Sequence, residues 1–285
     1  MPRSCLYLVL TALPALLAAA TGPQSIPLPA DTSLSDATDI NARGDIVGWR
    51  FHSAQPCPPD TACSGEESFI VPHGGTAELF TFPGSTATFA QGINARGDVV
   101  GQYFDGATHG FLRGRDGTFI TIDFPGEPLT TITGIDASGR MIGYYVHNPE
   151  QEEAPATGFI LDRDGFHLLP QPDMRPRAIA ENGTVVGTVF APSSGQQPFI
   201  LRGGVVTRFD CPGMVFTELH DVLPDGRLLG VMLSDFNAPI EGFVSTGRTC
   251  EPLGDGVYAE AVNPQGTIVG ELFPPAGNGA FVWRR

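Results

Sequence analysis

The sequence predicts an all-β fold, a six-bladed β-propeller in which each blade is a four-stranded antiparallel sheet. Three observations lead to this prediction. A phrase with two glycines recurs six times along the 285 residues, a phenylalanine follows each copy at a similar interval, and one blade is divided between the two ends of the chain. Repeats of about 40 to 45 residues that hold four short strands are typical of propeller blades.

The recurring phrase predicts the first hairpin of each blade. Its best copies are residues 40–48, 93–101 and 135–143, and weaker copies follow. An apolar residue ends one strand, a short polar turn follows, and a β-branched pair begins the next strand. The turn requires positive φ, which glycine tolerates. Steps of 53, 42, 44, 43 and 40 residues separate the first glycines of the six copies.

A phenylalanine marks the third strand of each blade. The six positions are Phe69, Phe111, Phe159, Phe199, Phe243 and Phe281. Each lies in a short apolar segment such as residues 110–112. A second turn and a last alternating strand follow, as in residues 116–117 and 118–123. We therefore expect Ile, Val and Phe to pack between the blades.

The chain ends predict a closed ring. Residues 279–283 match a third strand, after which the chain stops, whereas residues 24–29 match residues 120–125, a fourth strand. The N-terminal strand would complete the last blade and leave no free sheet edge there. Pro27 and Pro29 suit an outermost strand, where a missing N–H donor is tolerated. An open stack of repeats is the alternative, but it does not explain the divided blade. We predict one domain, residues 21–285.

Residues 1–20 have the pattern of an export signal. Arg3 precedes an apolar run over residues 5–17, and small residues 18–20 suit a cleavage site. The run is shorter than the about 20 residues of a membrane span, although an uncleaved anchor is the alternative. We expect an exported chain, periplasmic or extracellular, monomeric and with no transmembrane segment after signal removal.

Composition narrows the classes of partner. Gly 36 and Pro 26 argue against long helices, and 41% hydrophobic with 16% charged residues argues against disorder. The net charge is −15, and all sixteen cationic side chains are Arg. A chain this acidic repels phosphate backbones, so no nucleic-acid partner is expected.

Residues 108–111, Thr-His-Gly-Phe, and residues 122–126, Ile-Asp-Phe-Pro-Gly, resemble the bacterial extracellular repeat proteins named for a His-Ala-Phe (HAF) signature. The resemblance covers nearly all of the mature chain and is cleanest in the first three copies. It implies an exported repeat protein and supplies no catalytic residues.

Residues 43–45 and 96–98 spell Arg-Gly-Asp, the tripeptide that adhesion receptors recognise. Both copies fall in the first hairpin turn, where geometry requires the glycine and the flanking positions vary between copies. We interpret them as turn residues.

The four cysteines after the signal favour disulfides in an exported chain, with three pairings open. Cys57 and Cys63 share the extra loop of the first repeat, which favours a local bridge. Cys211 and Cys250 would then pair, provided that adjacent blades bring their Cα atoms within about 7 Å. The sequence holds no compact ligand cluster, nucleophile elbow or phosphate-binding loop, so we expect no metal and no cofactor.

One polar position recurs six residues before each first glycine. Its occupants are Thr38, Gln91, Thr133, Arg177, His220 and Glu260. We place them where the innermost strand enters from the inter-blade loop, around one mouth of the central channel. A hydrated entrance that needs no ligand is one interpretation. Arg, His and Glu in consecutive blades are also suited to acid–base work or to holding a polar ligand.

Two functions follow. The first is a binding or interaction module for an extracellular polysaccharide, protein or small molecule, without chemistry. The second is a propeller enzyme, a lactonase-like hydrolase or a lyase, that uses the channel mouth. The first is favoured because turns and core account for the recurrent residues. The fold itself hosts both kinds of function.

Overall fold

The computed structural model describes residues 22–53, 64–151, 154–191, 195–247, 249–274 and 276–284. Twenty-four strands lie in these ranges. The predicted signal and the Cys57–Cys63 pair fall outside them. Within the same ranges, no helix is long and apolar enough to cross a bilayer.

Blades 1 to 3, which we call the regular half, are four-stranded antiparallel units joined by two short parallel bridges. Blade 1 contains β2 (Thr32–Ile40), β3 (Ile46–Ser53), β4 (Ser64–Val71) and β5 (Glu78–Phe80). Blade 2 contains β6 (Ala87–Ile93), β7 (Val99–Phe104), β8 (Thr108–Arg113) and β9 (Phe119–Ile122). Blade 3 contains β10 (Leu129–Ile135), β11 (Met141–Val146), β12 (Ala156–Asp162) and β13 (Gly165–Leu168).

Blades 4 to 6, which we call the divergent half, are three separate four-stranded sheets. Blade 4 contains β14 (Met174–Ile179), β15 (Val185–Ala191), β16 (Gly195–Arg202) and β17 (Val205–Arg208). Blade 5 contains β18 (Phe216–Val222), β19 (Leu228–Leu233), β20 (Glu241–Thr246) and β21 (Thr249–Asp255). Blade 6 contains β22 (Val257–Val262), β23 (Thr267–Leu272), β24 (Gly279–Arg284) and β1 (Gln24–Ser25).

The units form a closed ring. Each of the innermost strands β2, β6, β10, β14, β18 and β22 contacts the next, and β22 contacts β2. Strand β1 pairs antiparallel with β24, with Gln24 opposite Val282. The backbone N–H of Ile26 extends this pairing by donating to the Ala280 carbonyl at 2.9 Å. The N-terminal strand therefore completes the last blade, in agreement with the sequence prediction.

The second glycine of each phrase and the recurring phenylalanine lie opposite each other. In blade 2, Gly101 pairs with Phe111, and all six phenylalanines are fully buried. A Cβ on Gly101 would lie 2.0 Å from the Phe89 carbonyl oxygen and 2.9 Å from the Phe111 ring. This glycine therefore lets the first strand and the phenylalanine ring approach closely. It does not form part of a turn.

The first glycine of each phrase has a different role. Gly44 and Gly97 have φ of 86° and 91°, which only the absence of a Cβ makes easy. In the same turn, Arg43 Nη2 lies 2.6 Å from Asp45 Oδ2. Arg96 Nη1 donates to the carbonyl of Ala137 in the next turn at 2.7 Å. The Arg-Gly-Asp side chains thus bond within and between neighbouring turns.

Cys211 and Cys250 form a disulfide, with Cα atoms 5.7 Å apart. Their approach has a structural reason. Residue 211 lies in the connection from blade 4 to blade 5 and belongs to the buried cluster that also contains Phe243 of blade 5. It occupies the place that Phe124 has in the regular half, since both backbone N–H groups donate to a threonine hydroxyl, Thr217 at 3.1 Å and Thr130 at 2.9 Å.

Candidate functional site

Each of the six recurrent polar residues lies at a β-bulge. In all six innermost strands, the pairing register with the second strand shifts at this position. Such a bulge leaves one residue unpaired and redirects its side chain.

The six residues line one central cavity of about 160 Å³. Each lies two residues before the end of its strand, inside the channel and towards the first hairpin turns. The sequence had placed them where the strand enters, which is the opposite end. The bulge then presents this interior strand position to the channel.

The odd-numbered blades use this residue to hold the next blade. In each case a side-chain donor reaches the carbonyl just before the neighbouring bulge. The three bonds are Thr38 Oγ1 to Ala90 O at 2.9 Å, Thr133 Oγ1 to Pro176 O at 2.8 Å, and His220 Nδ1 to Ala259 O at 2.9 Å. Since a carbonyl only accepts, His220 Nδ1 carries the proton.

The even-numbered blades supply Gln91, Arg177 and Glu260. Arg177 Nη2 lies 2.7 Å from Glu260 Oε2, which joins blade 4 to blade 6 in front of blade 5. Burial by itself would lower the pKa of Arg177. The charges of Glu260 and neighbouring acids outweigh this effect and raise the pKa above its usual value. This guanidinium is therefore permanently charged.

His220 lies between two carboxylates. Its side chain is fully buried, with Nδ1 at 3.4 Å from Glu260 Oε2 and Nε2 at 3.7 Å from Glu218 Oε2. Among the described residues, Nε2 has no hydrogen-bond partner. Burial would raise the pKa of Glu218, but His220 and Arg177 hold it below its usual value.

Two aspartates adjoin the bulges and were missed by sequence reasoning. Asp39 accepts hydrogen bonds from the N–H of Ile40 and, in the next blade, of Ile93, both at 2.7 Å. Asp221 accepts from Val222 at 2.7 Å and from Val262 at 2.9 Å. The only sequence signal is an Asp directly after the polar position in copies one and five.

Burial raises the pKa of both aspartates. For Asp39 the value is about 7, with the charge of Asp221 adding to the effect of burial. For Asp221 it is about 6, because the backbone donors and His220 oppose burial. Both groups therefore titrate near neutral pH.

A second acidic pair lies where blade 1 meets blade 6. Asp36 is on β2 and Glu271 on β23, and both are buried. Burial, together with the charges of Glu260 and Glu271, raises the pKa of Asp36 well above its usual value. Burial and Glu260 raise the pKa of Glu271 to about 7. Asp36 Oδ1 and Glu271 Oε1 lack hydrogen-bond partners in the described part of the chain.

The channel widens towards the inter-blade connections. This second cavity has a volume of about 380 Å³, and Gln91, Arg177 and Glu218 contribute to its lining. Arg175 also lines it, with the guanidinium carbon 4.5 Å from the Phe190 ring centroid. Within the described ranges, no group of three or more His, Cys, Asp or Glu side chains is arranged to hold a metal ion.

No protein-family model and no curated protein sequence matches the chain. Several solved structures are similar in fold. A TolB from Acinetobacter baumannii has a TM-score of 0.57 and 12% identity, over 90% of this chain and 65% of that one. A gluconolactonase from Xanthomonas campestris has a TM-score of 0.55 and 14% identity, over 93% and 95%. A virginiamycin B lyase from Staphylococcus aureus has a TM-score of 0.51 and 11% identity, over 92% and 98%. At these identities the likeness shows a β-propeller fold alone.

Proposed function

We propose that this chain is an exported, monomeric, six-bladed propeller of the HAF repeat type that binds a small polar ligand in its central channel without transforming it. The observation that carries the proposal is the engagement of the channel's titratable groups. His220 bonds the next blade, Arg177 and Glu260 pair with each other, and Asp39 and Asp221 accept backbone donors. Groups tied to the frame in this way are suited to fixed recognition.

Occupancy of the channel can be tested with a blocked variant. Gln91 lines both cavities and makes no side-chain hydrogen bond to a described residue, so Gln91→Trp fills the channel with little loss of bonding. The matched control is Ile120→Trp, on an outer strand where Ile120 is exposed. Methylguanidinium, glucose and acetate serve as cationic, neutral and anionic probes, read by the change in Tm.

We expect at least one probe to raise the Tm of the unmodified chain and of Ile120→Trp by about 2 °C, and to leave Gln91→Trp unchanged. Equal shifts in all three proteins, or no shift with any probe, would overturn channel binding.

The alternative is a propeller enzyme, a lactonase-like hydrolase or a lyase. It is favoured by one observation: His220 Nε2, beside Glu218, has no hydrogen-bond partner in the part of the chain that the structure describes, while Asp39 and Asp221 titrate near neutral pH. General acids and bases work best when their pKa lies near the working pH. Ring opening of glucono-1,5-lactone is a direct test, since one structural neighbour is a gluconolactonase.

The variant for this test must keep the bond to Ala259. His220→Ala would remove a buried inter-blade hydrogen bond, whereas His220→Gln retains an N–H donor. The binding proposal expects lactone opening at the rate of buffer alone. Catalysis that disappears in His220→Gln, at an unchanged Tm, would place the enzyme first.

A further inference from the structure

We propose that the ligand of the channel is a neutral, polyhydroxylated ring, a free monosaccharide or the terminal sugar of a glycan, bound in the wider channel cavity of about 380 Å³. This inference rests on the proposed binding function and names the chemical class of its ligand. Three features of the wider cavity support it: the neutral polar groups of the lining, the pairing of the charges there, and the room beside it.

Neutral amides and hydroxyls make up most of the polar lining of the wider cavity. They come from blades 2, 3 and 4 and are Gln91, Gln102, Thr131, Tyr144, Thr188 and Gln196. A side-chain amide offers two N–H donors and an acceptor oxygen, and a hydroxyl both donates and accepts. A ligand that matches this lining must therefore bring donors and acceptors together, as the hydroxyls of a sugar do.

Two lining residues hold a buried polar atom that has no hydrogen-bond partner among the described residues. They are Arg175, through Nε, and Thr188, through Oγ1. The Arg175 atom only donates, whereas the Thr188 hydroxyl donates or accepts. An ammonium supplies donors alone and a carboxylate supplies acceptors alone. The unmet hydrogen bonding of the lining is therefore of both kinds and agrees with a hydroxyl-bearing ligand.

Gln102 and Tyr144 are the groups best placed to bond such a ligand. Both are half-buried and line the wider cavity. Thr131 Oγ1 donates to Gln102 Oε1 at 2.8 Å, which fixes the amide and leaves its nitrogen for a ligand. Within the described ranges, neither Gln102 Nε2 nor the Tyr144 hydroxyl makes a hydrogen bond. Donors that are held in place before binding lose less entropy when the ligand arrives.

The charges of the lining are already opposed by other charges. Arg177 is paired with Glu260, and it also attracts Glu218, the one carboxylate among the described lining residues. Arg175 Nε lies 3.6 Å from Asp173 Oδ1. Charge therefore selects neither an anion nor a cation in this cavity, and hydrogen bonding decides the class of ligand.

Apolar surface lies beside these polar groups. Phe190 lines the wider cavity, and the Arg175 guanidinium carbon lies 4.5 Å from its ring centroid and 5.7 Å from that of Tyr144. Both contacts stabilise the position of the guanidinium. A sugar ring has C–H groups on its faces and hydroxyls on its rim, so it can contact aromatic and amide groups at the same time.

The room allows one sugar ring and a continuation outwards. The wider cavity lies within the range of about 300–1,000 Å³ that is typical of small-molecule sites. An adjoining cavity of about 430 Å³ shares four of its lining residues, Gln102, Thr131, Tyr144 and Arg175. It extends to Pro149, in the connection between β11 and β12. A terminal sugar in the channel can therefore be followed by a second sugar in this outer cavity.

The test compares sugars that share a ring and differ in charge. The neutral probes are the methyl glycosides of glucose, galactose and mannose, and each is matched by its uronate and its 2-amino sugar. Tetrahydropyran keeps the ring and lacks the hydroxyls. Titration followed by saturation-transfer NMR measures each affinity. We expect at least one neutral glycoside to bind with a Kd of about 1 mM, its charged analogues to bind about ten-fold more weakly, and tetrahydropyran not to bind.

A disaccharide distinguishes the two sources of the ligand. It carries the sugar that binds at its non-reducing end, and its affinity is compared with that of the methyl glycoside. Tighter binding of the disaccharide supports the terminal sugar of a glycan, because the second ring then contacts the outer cavity. Equal or weaker binding supports a free monosaccharide.

Tyr144→Phe localises the site. It removes one hydroxyl that makes no hydrogen bond within the described part of the chain, so we expect affinity to fall by about five-fold at an unchanged Tm. The matched control is Tyr145→Phe, at the next position of β11, where the ring centroid lies 4.2 Å from that of Phe124. This control should bind like the unmodified chain.

Gln102→Met removes the amide and keeps the length of the side chain. We expect affinity to fall by about ten-fold and the Tm to fall slightly, because Thr131 loses its acceptor. Gln265→Met, an exposed change in the first hairpin turn of blade 6, is the matched control and should alter neither quantity.

Three results would overturn the inference: a uronate or amino sugar that binds more tightly than its neutral parent, tetrahydropyran that binds as well as the glycosides, or sugar affinity that is unchanged in both Tyr144→Phe and Gln102→Met. The proposed function fails separately. If acetate or methylguanidinium binds in a manner that Gln91→Trp abolishes while no neutral glycoside binds, channel binding stands and the sugar assignment falls. If no probe binds, both fall.

Discussion

The regular and divergent halves share one backbone plan and differ in the chemistry that it presents to the channel. In both halves the innermost strand bulges, a glycine in the second strand admits it, and a buried phenylalanine lies opposite that glycine. The regular half presents Thr38, Gln91 and Thr133 at the bulge, and the divergent half presents Arg177, His220 and Glu260. The copies that repeat most exactly thus carry uncharged residues at the bulge. The copies that have diverged carry Arg, His and Glu there.

The pKa values of the turn aspartates and of the channel aspartates shift in opposite directions. In the regular turns, burial would raise the pKa of Asp98, but bonds from Asn94 and Arg96 lower it. In the channel, burial prevails and raises the pKa of Asp221 to about 6. The Asp98 carboxylate in the turn is therefore stabilised as an anion, whereas Asp39 and Asp221 in the channel are held near their ionisation point.

The largest expected effect is loss of the disulfide, a feature of the divergent half. It closes a sequence separation of 39 residues. We expect the double variant Cys211→Ala/Cys250→Ala to lose about 4 kcal/mol of unfolding free energy, because the unfolded chain is no longer constrained. Urea denaturation measures it. Phe124 occupies the equivalent place in the regular half, where its ring centroid lies 4.2 Å from that of Tyr145. Phe124→Ala should lower the unfolding free energy by about 3 kcal/mol. If the double cysteine variant lost less than about 1 kcal/mol of unfolding free energy, the disulfide and the Phe124 ring would not be equivalent in stabilising their halves.

A smaller effect separates the arginines of the two halves. Arg177→Met removes the partner of Glu260, and we expect a loss of about 2 kcal/mol at about pH 8, reduced from the fully buried case because Arg177 is one-third exposed. The loss should shrink at about pH 5, because Glu271, whose pKa is raised to about 7, is then protonated and no longer repels the unpaired Glu260. Arg96→Met, in an exposed turn, should cost less than about 1 kcal/mol at both pH values. Equal behaviour of the two variants in urea titrations would remove the distinction between the halves.

The smallest effect is a pH dependence carried by Asp221. A carboxyl whose pKa is raised to about 6 in the folded state makes stability fall as pH rises from its unfolded value, 3.8, to about 6, since the unfolded chain then holds fewer protons. Asp221→Asn should remove about 1 kcal/mol of this fall in unfolding free energy. The figure is smaller than the pKa shift alone would give, because the side chain is only half-buried and solvent screens its charge. Asp98→Asn is the control. Its lowered pKa predicts stability that is lost only in acid, so the difference from the unmodified chain should be flat from about pH 5 to 8.

The sequence predicted the frame well because the frame repeats. The spacing of Phe111 and its five equivalents identified the third strands, and residues 24–29 identified how the ring closes. The bulge could not be predicted, because it is a shift of register between two strands and no residue type requires it. Asp36 and Glu271 were missed for a related reason, since they are distant in sequence and meet only when blade 6 returns to blade 1.

The pairing of β1 with β24 sets the order in which the fold can form. Gln24 has its partner at Val282, so the first strand emerges about 250 residues before the strand with which it pairs. Blades 1 to 5 draw all their strands from continuous stretches and can form as they appear. Closure therefore follows the synthesis of β24, and the Asp36–Glu271 junction is assembled only after β23 has been made.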